Sequence, residues 1–365
     1  MGKVWSISAL GMNGADNAMI VGRAATGIYL ALLESNCTSG YVLVPGNLCY
    51  AGIYPALYAG LLPVFCDADS RTGNVTLETI TQVWQKDGIR AAVIPHMYGN
   101  PVLEMQEIYD FLHERGVVVI EDCASAMGAS AETYQLGRVG DYTVYSTGYA
   151  KTLDLGYGGF LRSRYTHLEV AREREKTLPM YSEKQEKNQA FFSKLYRMLR
   201  NEGTDTAIEA MIYRGLLSCC RDDFLLRIGP EQQEKLLQEM ERLPEIVEER
   251  RRKKELYRKR LSCWEYNTYP YTGEAVPWRY NLMVDKAERK SLICDCLAGQ
   301  IPISDWYPNV TPFFGKRKTL HGVDQHAASI VNFPLTIEDA EIYKICDFLN
   351  MWFQKHRNTP SEDTP

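Results

Sequence analysis

The sequence predicts an α/β protein, with a mostly parallel central sheet flanked by helices, followed by a smaller C-terminal α+β domain. Three observations carry this prediction. Short, nearly continuous apolar runs recur through the first 160 or so residues, as in strands buried on both faces of a parallel sheet. Helical patterns separate them, which implies strand–helix–strand crossovers. After Arg162 the texture turns to charged helix, and then to a mixture of short strands and helices.

Taken in order, the predicted strands are YVLVP (41–45), LPVFCDAD (62–69), RAAVIPH (90–96) and VVVIED (117–122). Helix-like stretches fall at 26–35, 51–60, 77–86 and 104–115, and DSRTGN (69–74) marks a turn. In such sheets ligands gather beyond the carboxyl ends of the strands. Pro45, Asp67, His96 and Asp122 occupy those ends. Residues 166–262 read as helical and culminate in EIVEERRRKKELYRKRL (245–261). A basic run invites a nucleic-acid reading. Glu231, Glu234, Glu239, Glu241, Glu245, Glu248 and Glu249 surround it, which favours a solvated helix with internal ion pairs instead. Residues 276–352 read as mixed strands and helices. The expected division is a large α/β domain over 1–240 and a small domain, with its linker helix, over 241–365. The terminal NTPSEDTP is too polar to pack and is expected to fray.

A chain of 365 residues buries enough surface to need no staple. Its net charge of -5 gives no general attraction to nucleic acid or anionic membranes. The ten cysteines form no CxxC pair and the six histidines supply no zinc spacing, so no metal is expected and the thiols read as reduced. With no apolar run of membrane length and no leader-like start, a cytoplasmic protein is expected.

Three stretches carry chemistry. VVVIEDCASAMGA (117–129) delivers Glu121 and Asp122 to a strand end, where a carboxylate is costly unless a cation meets it; a turn-capping Asp is the plainer alternative. DYTVYSTGYAKTLDLGYGGFL (141–161) places Lys151 just beyond a strand and before a glycine-rich turn. Desolvated by neighbours such as Tyr145 and Tyr149, its amine would act as a nucleophile and form a Schiff base; a surface lysine is the commoner fate. VGRAATGIYLALL (21–33) opens a helix with exposed amides and a Thr hydroxyl, a ready phosphate site, although Thr26 could simply cap the helix. Pyridoxal 5'-phosphate needs all three: an anchored phosphate, a carboxylate at the pyridine nitrogen and a lysine amine.

These stretches, with YAGIYPALYAGLLPVFCDADSRTGN, HMYGN and ASIVNFPLTIEDAE, occur in the order found in the DegT/StrS sugar aminotransferases. From about residue 20 to 350 the chain resembles that family, whose members are fold-type-I pyridoxal-phosphate enzymes. The resemblance implies that Lys151 holds the cofactor and shuttles the proton, while Asp122 pairs with the pyridinium. It assigns phosphate contacts to Ser146, Ala24, Ala25 and Thr26. Cys49 stands at the ring-stacking position and Ser125 near the ring hydroxyl. It further implies transfer of an amino group from an amino acid, glutamate being the expected donor, to a keto-sugar expected to be nucleotide-linked, in a homodimer with shared active sites. His96, Tyr98, Trp306, Tyr307 and Asn309 are candidates on the sugar side, each with a core or loop role as the alternative.

The chain also departs from the family pattern. Thr152 follows the lysine where Asn is usual, Tyr157 replaces a Glu, Met127 replaces a frequent His, and only about twenty residues precede the phosphate loop. Two other readings follow: a PLP-dependent dehydration or elimination, which the presence of Lys151 disfavours because family dehydratases lose it, and a binding or regulatory protein with an altered site.

Overall fold

The structure, a computed structural model, describes residues 17–357 apart from 85–86, 166, 202–210, 213–214, 216–218, 263–267 and 316. The polar tail at 358–365 lies outside them. The elements run β1 (Ala18–Val21), α1 (Ala24–Glu34), β2 (Tyr41–Pro45), α2 (Tyr50–Ala59), β3 (Leu62–Cys66), α3 (Leu77–Thr81), β4 (Ile89–Pro95), α4 (Met105–His113), β5 (Val118–Asp122), β6 (Tyr142–Ser146) and β7 (Gly159–Ser163). Then come α5 (Glu169–Lys176), α6 (Glu183–Asn201), α7 (Pro230–Met240), α8 (Leu243–Arg260), β8 (Tyr280–Met283), α9 (Lys286–Ala298), α10 (His321–Ser329), β9 (Ile330–Phe333) and α11 (Asp339–Arg357).

The seven-stranded sheet has the order β1-β7-β6-β5-β4-β2-β3. Strands β6, β5, β4, β2 and β3 are parallel; β7 runs antiparallel to β6, and β1 antiparallel to β7. The four predicted strands are present. The second stops at Cys66 because Asp67 and Asp69 turn the chain: Asp69 Oδ1 accepts from the amides of Arg71 (3.2 Å) and Thr72 (2.7 Å). The predicted helix at 77–86 is helical only to Thr81, after which Val83 and Trp84 bond to carbonyls three residues back.

Side chains alternate across the sheet with period two. Val42, Val44, Val93, Ile120 and Val144 pack with α1 and α2 on one face. Leu43, Ala92, Ile94 and Val119 pack with α4 on the other. A separate core, built around β8, β9, α9 and α11, organises the C-terminal part. Helix α8 joins the two regions, burying Leu243 and Val247 against the first and Tyr257 in the second. Its glutamates pair with its basic residues at Arg251–Glu248, Arg252–Glu249, Lys253–Glu249 and Arg258–Glu255, the arrangement expected of a solvated face.

Two joints, one through the backbone and one through a side chain, fix the C-terminal segment beside the sheet's carboxyl edge. The amides of Val276 and Trp278 donate to the carbonyls of Gly99 (3.1 Å) and Tyr98 (3.0 Å). Gly99 sits at φ 80, and a Cβ there would lie 1.8 Å from the Val276 carbonyl oxygen, so only glycine fits. Asp67 receives the amides of Gly322 (3.0 Å) and Val323 (2.8 Å), so this strand-end carboxylate caps α10. Among the described residues no helix is long and apolar enough to cross a membrane.

Candidate active site

The carboxyl ends of β5 and β6 supply the centre. Because successive residues of a strand point to opposite faces, Glu121 and Asp122 part company. Glu121 turns inward. Its Oε1 accepts from Gly137 N (2.6 Å), and its Oε2 from Val139 N and Gly140 N (both 3.1 Å). Burial opposes its ionisation, but His96 and the Gly137 and Gly140 amides outweigh burial and hold the carboxyl below its usual range. Asp122 is also buried and accepts from Ala124 N (2.9 Å). Burial pushes its carboxyl above the usual range, with the Ala124 amide and the Lys151 ammonium pulling it back.

His96, a candidate for the sugar side, belongs to the Glu121 network instead. Its Nδ1 accepts from Val102 N (3.0 Å), so Nε2 carries the hydrogen and donates to Glu121 Oε1 (2.9 Å). Both ring nitrogens are therefore committed inside the protein. His96, Glu121 and Cys123 bring donor atoms within 4.8 Å of one another. Burial pushes the Cys123 thiol well up, away from the thiolate a metal prefers, and the set functions as a hydrogen-bonding cluster.

Lys151 lies on the other side, with Asp122. Its Nζ donates to Ser125 Oγ (3.0 Å), and Ser125 in turn bonds the Tyr307 hydroxyl. Lys151 and Asp122 act with opposite sign on the Cys49 thiol, which burial raises, so the three groups lie near one another. The expected wrapping by Tyr145 and Tyr149 is corrected. Tyr145 points to the opposite face, where its hydroxyl donates to Leu136 O (3.3 Å), and Tyr149 is 78% exposed. The group bonded to the lysine amine is Ser125, and Tyr307 lies next to Ser125. Tyr307 stacks on Trp278 (5.5 Å, 28°), and the Trp278 indole N–H donates to the Ala150 carbonyl. Ala150 itself is held at φ 57, a strained conformation for a residue with a Cβ.

Helix α1 starts beside Ser146. Gly159 pairs with Ser146 across β6 and β7, and a Cβ on Gly159 would lie 3.2 Å from the Ala24 amide nitrogen. The first helical bond runs from Gly27 N to Arg23 O, so the amides of Ala24, Ala25 and Thr26 precede the ladder. No side chain caps them: the capping position holds Arg23, which can only donate. Thr26 offers an amide alone, because its hydroxyl donates to Leu226 O (3.1 Å) and accepts from Leu226 N (3.2 Å). Sequence reasoning passed over Arg23. It is 6% exposed, and its Nε and Nη2 have no hydrogen-bond partner among the described residues. Burial pulls its guanidinium below its ordinary value. An arginine where Ser, Thr, Asp or Asn usually sits was the available signal. Amides, serine and buried cation together fit a phosphate; a lysine amine and a buried carboxylate fit the two ends of a pyridine aldehyde.

The remaining sugar-side candidates divide. Tyr98 is fully buried at φ 59; its hydroxyl accepts from Tyr307 N (2.9 Å) and donates to His326 Nε2 (3.2 Å), so it braces the structure and presents nothing to a ligand. Asn309 is likewise committed, to Lys318 O (3.1 Å) and Asp324 Oδ1 (3.0 Å). Trp306 stacks on Tyr196 (5.8 Å, 12°), and its amide donates to Asn332 Oδ1 (2.9 Å). Of the five candidates, Tyr307 alone is bonded to the lysine's immediate partner, Ser125.

Comparison with known proteins bears on this arrangement. A GDP-perosamine synthase of Escherichia coli O157:H7 is 31% identical over 151 residues, 41% of each chain. A dTDP-4-dehydro-2,3,6-trideoxy-D-glucose 4-aminotransferase of Saccharopolyspora spinosa is 34% identical over 118 residues, 32% of this chain and 30% of its own. These matches therefore span about two-fifths or less of the relatives' length. The aminotransferase TlmJ from Streptoalloteichus hindustanus shares the fold, with a TM-score of 0.74 at 20% identity, over 96% of this chain and 89% of that one. The family model described as the DegT/DnrJ/EryC1/StrS aminotransferase family matches residues 11–349, and the chain belongs to that family.

Proposed function

We propose that this protein is a pyridoxal-phosphate-dependent aminotransferase that moves an amino group from an amino acid, glutamate being the donor, to a nucleotide-linked keto-sugar. The observation that carries it is the pairing at the centre: Lys151 Nζ is bonded to Ser125 at 3.0 Å, and its charge acts on the buried Asp122 carboxyl. When bound, the cofactor supplies a carbonyl for amines and a ring that draws electrons from the substrate carbon. The chain's own residues do the rest. Asp122 holds a proton at the ring nitrogen, a charge-assisted bond of about 1.5–3 kcal/mol. That bond also relieves the burial of its carboxylate. Ser146, the amides of Ala24, Ala25 and Thr26, and the Arg23 guanidinium hold the phosphate. Cys49 packs on the ring, Ser125 orients the lysine, and the Lys151 amine takes and returns the proton. Tyr307 and Trp306 line the side from which the sugar enters.

The keto-sugar reading is supported by the two curated relatives, whose names describe amino-sugar formation on nucleotide carriers. We infer a homodimer in the cytoplasm, with the chain dividing near residue 241. Nine free cysteines among the described residues accord with a reducing compartment. Separate cores on either side of α8 accord with the division.

Purified protein supplied with the cofactor should turn yellow, and borohydride should fix the label on the peptide bearing Lys151. Glutamate should then discharge the colour, and a keto-sugar nucleotide should restore it. Colour that glutamate never discharges would favour the binding or regulatory reading. Full transamination by Lys151→Ala would sink the site.

A further inference from the structure

Helix α8 buries an apolar stripe, Leu243, Val247 and Tyr257, and the stripe is interrupted by Arg250, which is 4% exposed. A guanidinium on such a stripe is costly unless its donors are met. Its neighbours Arg251 and Arg252 pair with glutamates on the solvent face. Arg250 bonds main-chain carbonyls instead, in two directions. Nη2 donates to the carbonyls of Lys151 (2.8 Å) and Thr152 (3.4 Å). Nη1 donates to those of Trp278 (2.9 Å) and Pro277 (3.3 Å).

We propose that Arg250 is a positioning residue for Lys151, a fork that fixes the lysine's own carbonyl to the segment entering the C-terminal region and so aims its amine. The inference rests on Lys151 being the cofactor lysine. Three further features agree with it. The Trp278 indole holds the Ala150 carbonyl, so residues 150, 151 and 152 are all gripped by side chains from beyond residue 243. Ala150 keeps its φ of 57 between that bond and its own amide, which donates to Asp154 Oδ2 (2.8 Å). Tyr307 reaches Ser125, the amine's hydrogen-bond partner, while stacking on the same Trp278. Backbone and amine of one lysine are thus tied to a single C-terminal unit. Only a planar fork spans both sets of carbonyls; a lysine ammonium is a point donor. Burial lowers the Arg250 guanidinium to about 10, which leaves it charged at neutral pH.

The experiment compares Arg250→Met, Arg250→Lys and Trp278→Phe with the full wild-type chain. Three quantities are measured: thermal unfolding without cofactor, pyridoxal-phosphate affinity by absorbance titration, and the pH at which the bound chromophore titrates. Arg250→Met should bind the cofactor about tenfold or more weakly, a shift of about 1.4 kcal/mol, and should displace the chromophore's midpoint by about one pH unit. Arg250→Lys should restore part of both. Trp278→Phe, which keeps Arg250, should move both the same way by less, and with Arg250→Lys it decides the matter if Arg250→Met does not fold. Wild-type affinity and an unmoved midpoint in folded variants would overturn the role of Arg250 whatever their melting temperature. Failure of the wild type to take up the cofactor would overturn the reading of Lys151 instead.

Discussion

The two faces of one strand end repay comparison. Glu121 and Asp122 are adjacent, both carboxylic acids and both buried, yet the protein treats them oppositely. On the Glu121 face the chain folds back so that the amides of residues 137, 139 and 140 and the ring of His96 converge on one carboxylate. On the Asp122 face a single neighbouring amide is offered, and burial leaves the carboxyl above its usual range. A satisfied charge is an anchor. One that is buried with few partners is poised to bind a cation. The pleat of the strand, which throws consecutive side chains to opposite sides, assigns these two duties without further instruction.

That contrast can be broken deliberately. Glu121→Ala should cost the most stability, about 3–5 kcal/mol, because three amides and a histidine lose their acceptor at once. Denaturant unfolding checks this, and a loss under 1 kcal/mol would erase the distinction between the two faces. Next in size is the pH dependence at His326, which packs against Tyr98. Burial lowers its imidazole from 6.5 to about 4, so the unfolded chain takes the proton first. Stability is then fully present above pH 6.5 and is lost as the pH falls toward 4. The loss should total about 3 kcal/mol, and His326→Gln should flatten that part of the profile.

Ala150→Gly should change stability by less than about 1 kcal/mol, because relief of the left-handed strain offsets the extra freedom of unfolded glycine. A larger loss on denaturant unfolding would mean that the loop is unstrained. Smallest in stability is Asp122→Asn, which should leave folding within about 0.5 kcal/mol of wild type or raise it slightly, the amide being cheaper to bury than a charge. The same variant should still be labelled at Lys151, yet lose transamination by about 100-fold or more, as removal of a proton-holding group does. Steady-state rates beside a melting curve separate the two effects.

The four strands named from the sequence were legible because each is a nearly continuous apolar run ending at a polar residue, whereas β1 and β7 were not named. Asp122 and Lys151 drew attention because each sits at or just past a strand end, and the phosphate role of Ser146 came from the family resemblance alone. What escaped depended on contacts remote in sequence. Nothing near His96 announces that Val102 and Glu121 will occupy both its nitrogens. Tyr98 is claimed by residues more than 200 positions away. Tyr149 is exposed because the chain has already left the sheet. Thr26 read as a hydroxyl at a helix start, but its partner is the backbone near 226. Arg250, hidden within a run of eight basic and acidic residues, betrays itself only when the buried stripe of α8 is traced turn by turn.

The uncapped start of α1 has a thermodynamic consequence. Where most helices carry their own cap, this one offers its first amides and a buried arginine to an outside anion. Whatever occupies that place completes the fold, so the melting temperature should climb with anion concentration by mass action. At a hundredfold excess over its dissociation constant the gain is about 2.7 kcal/mol.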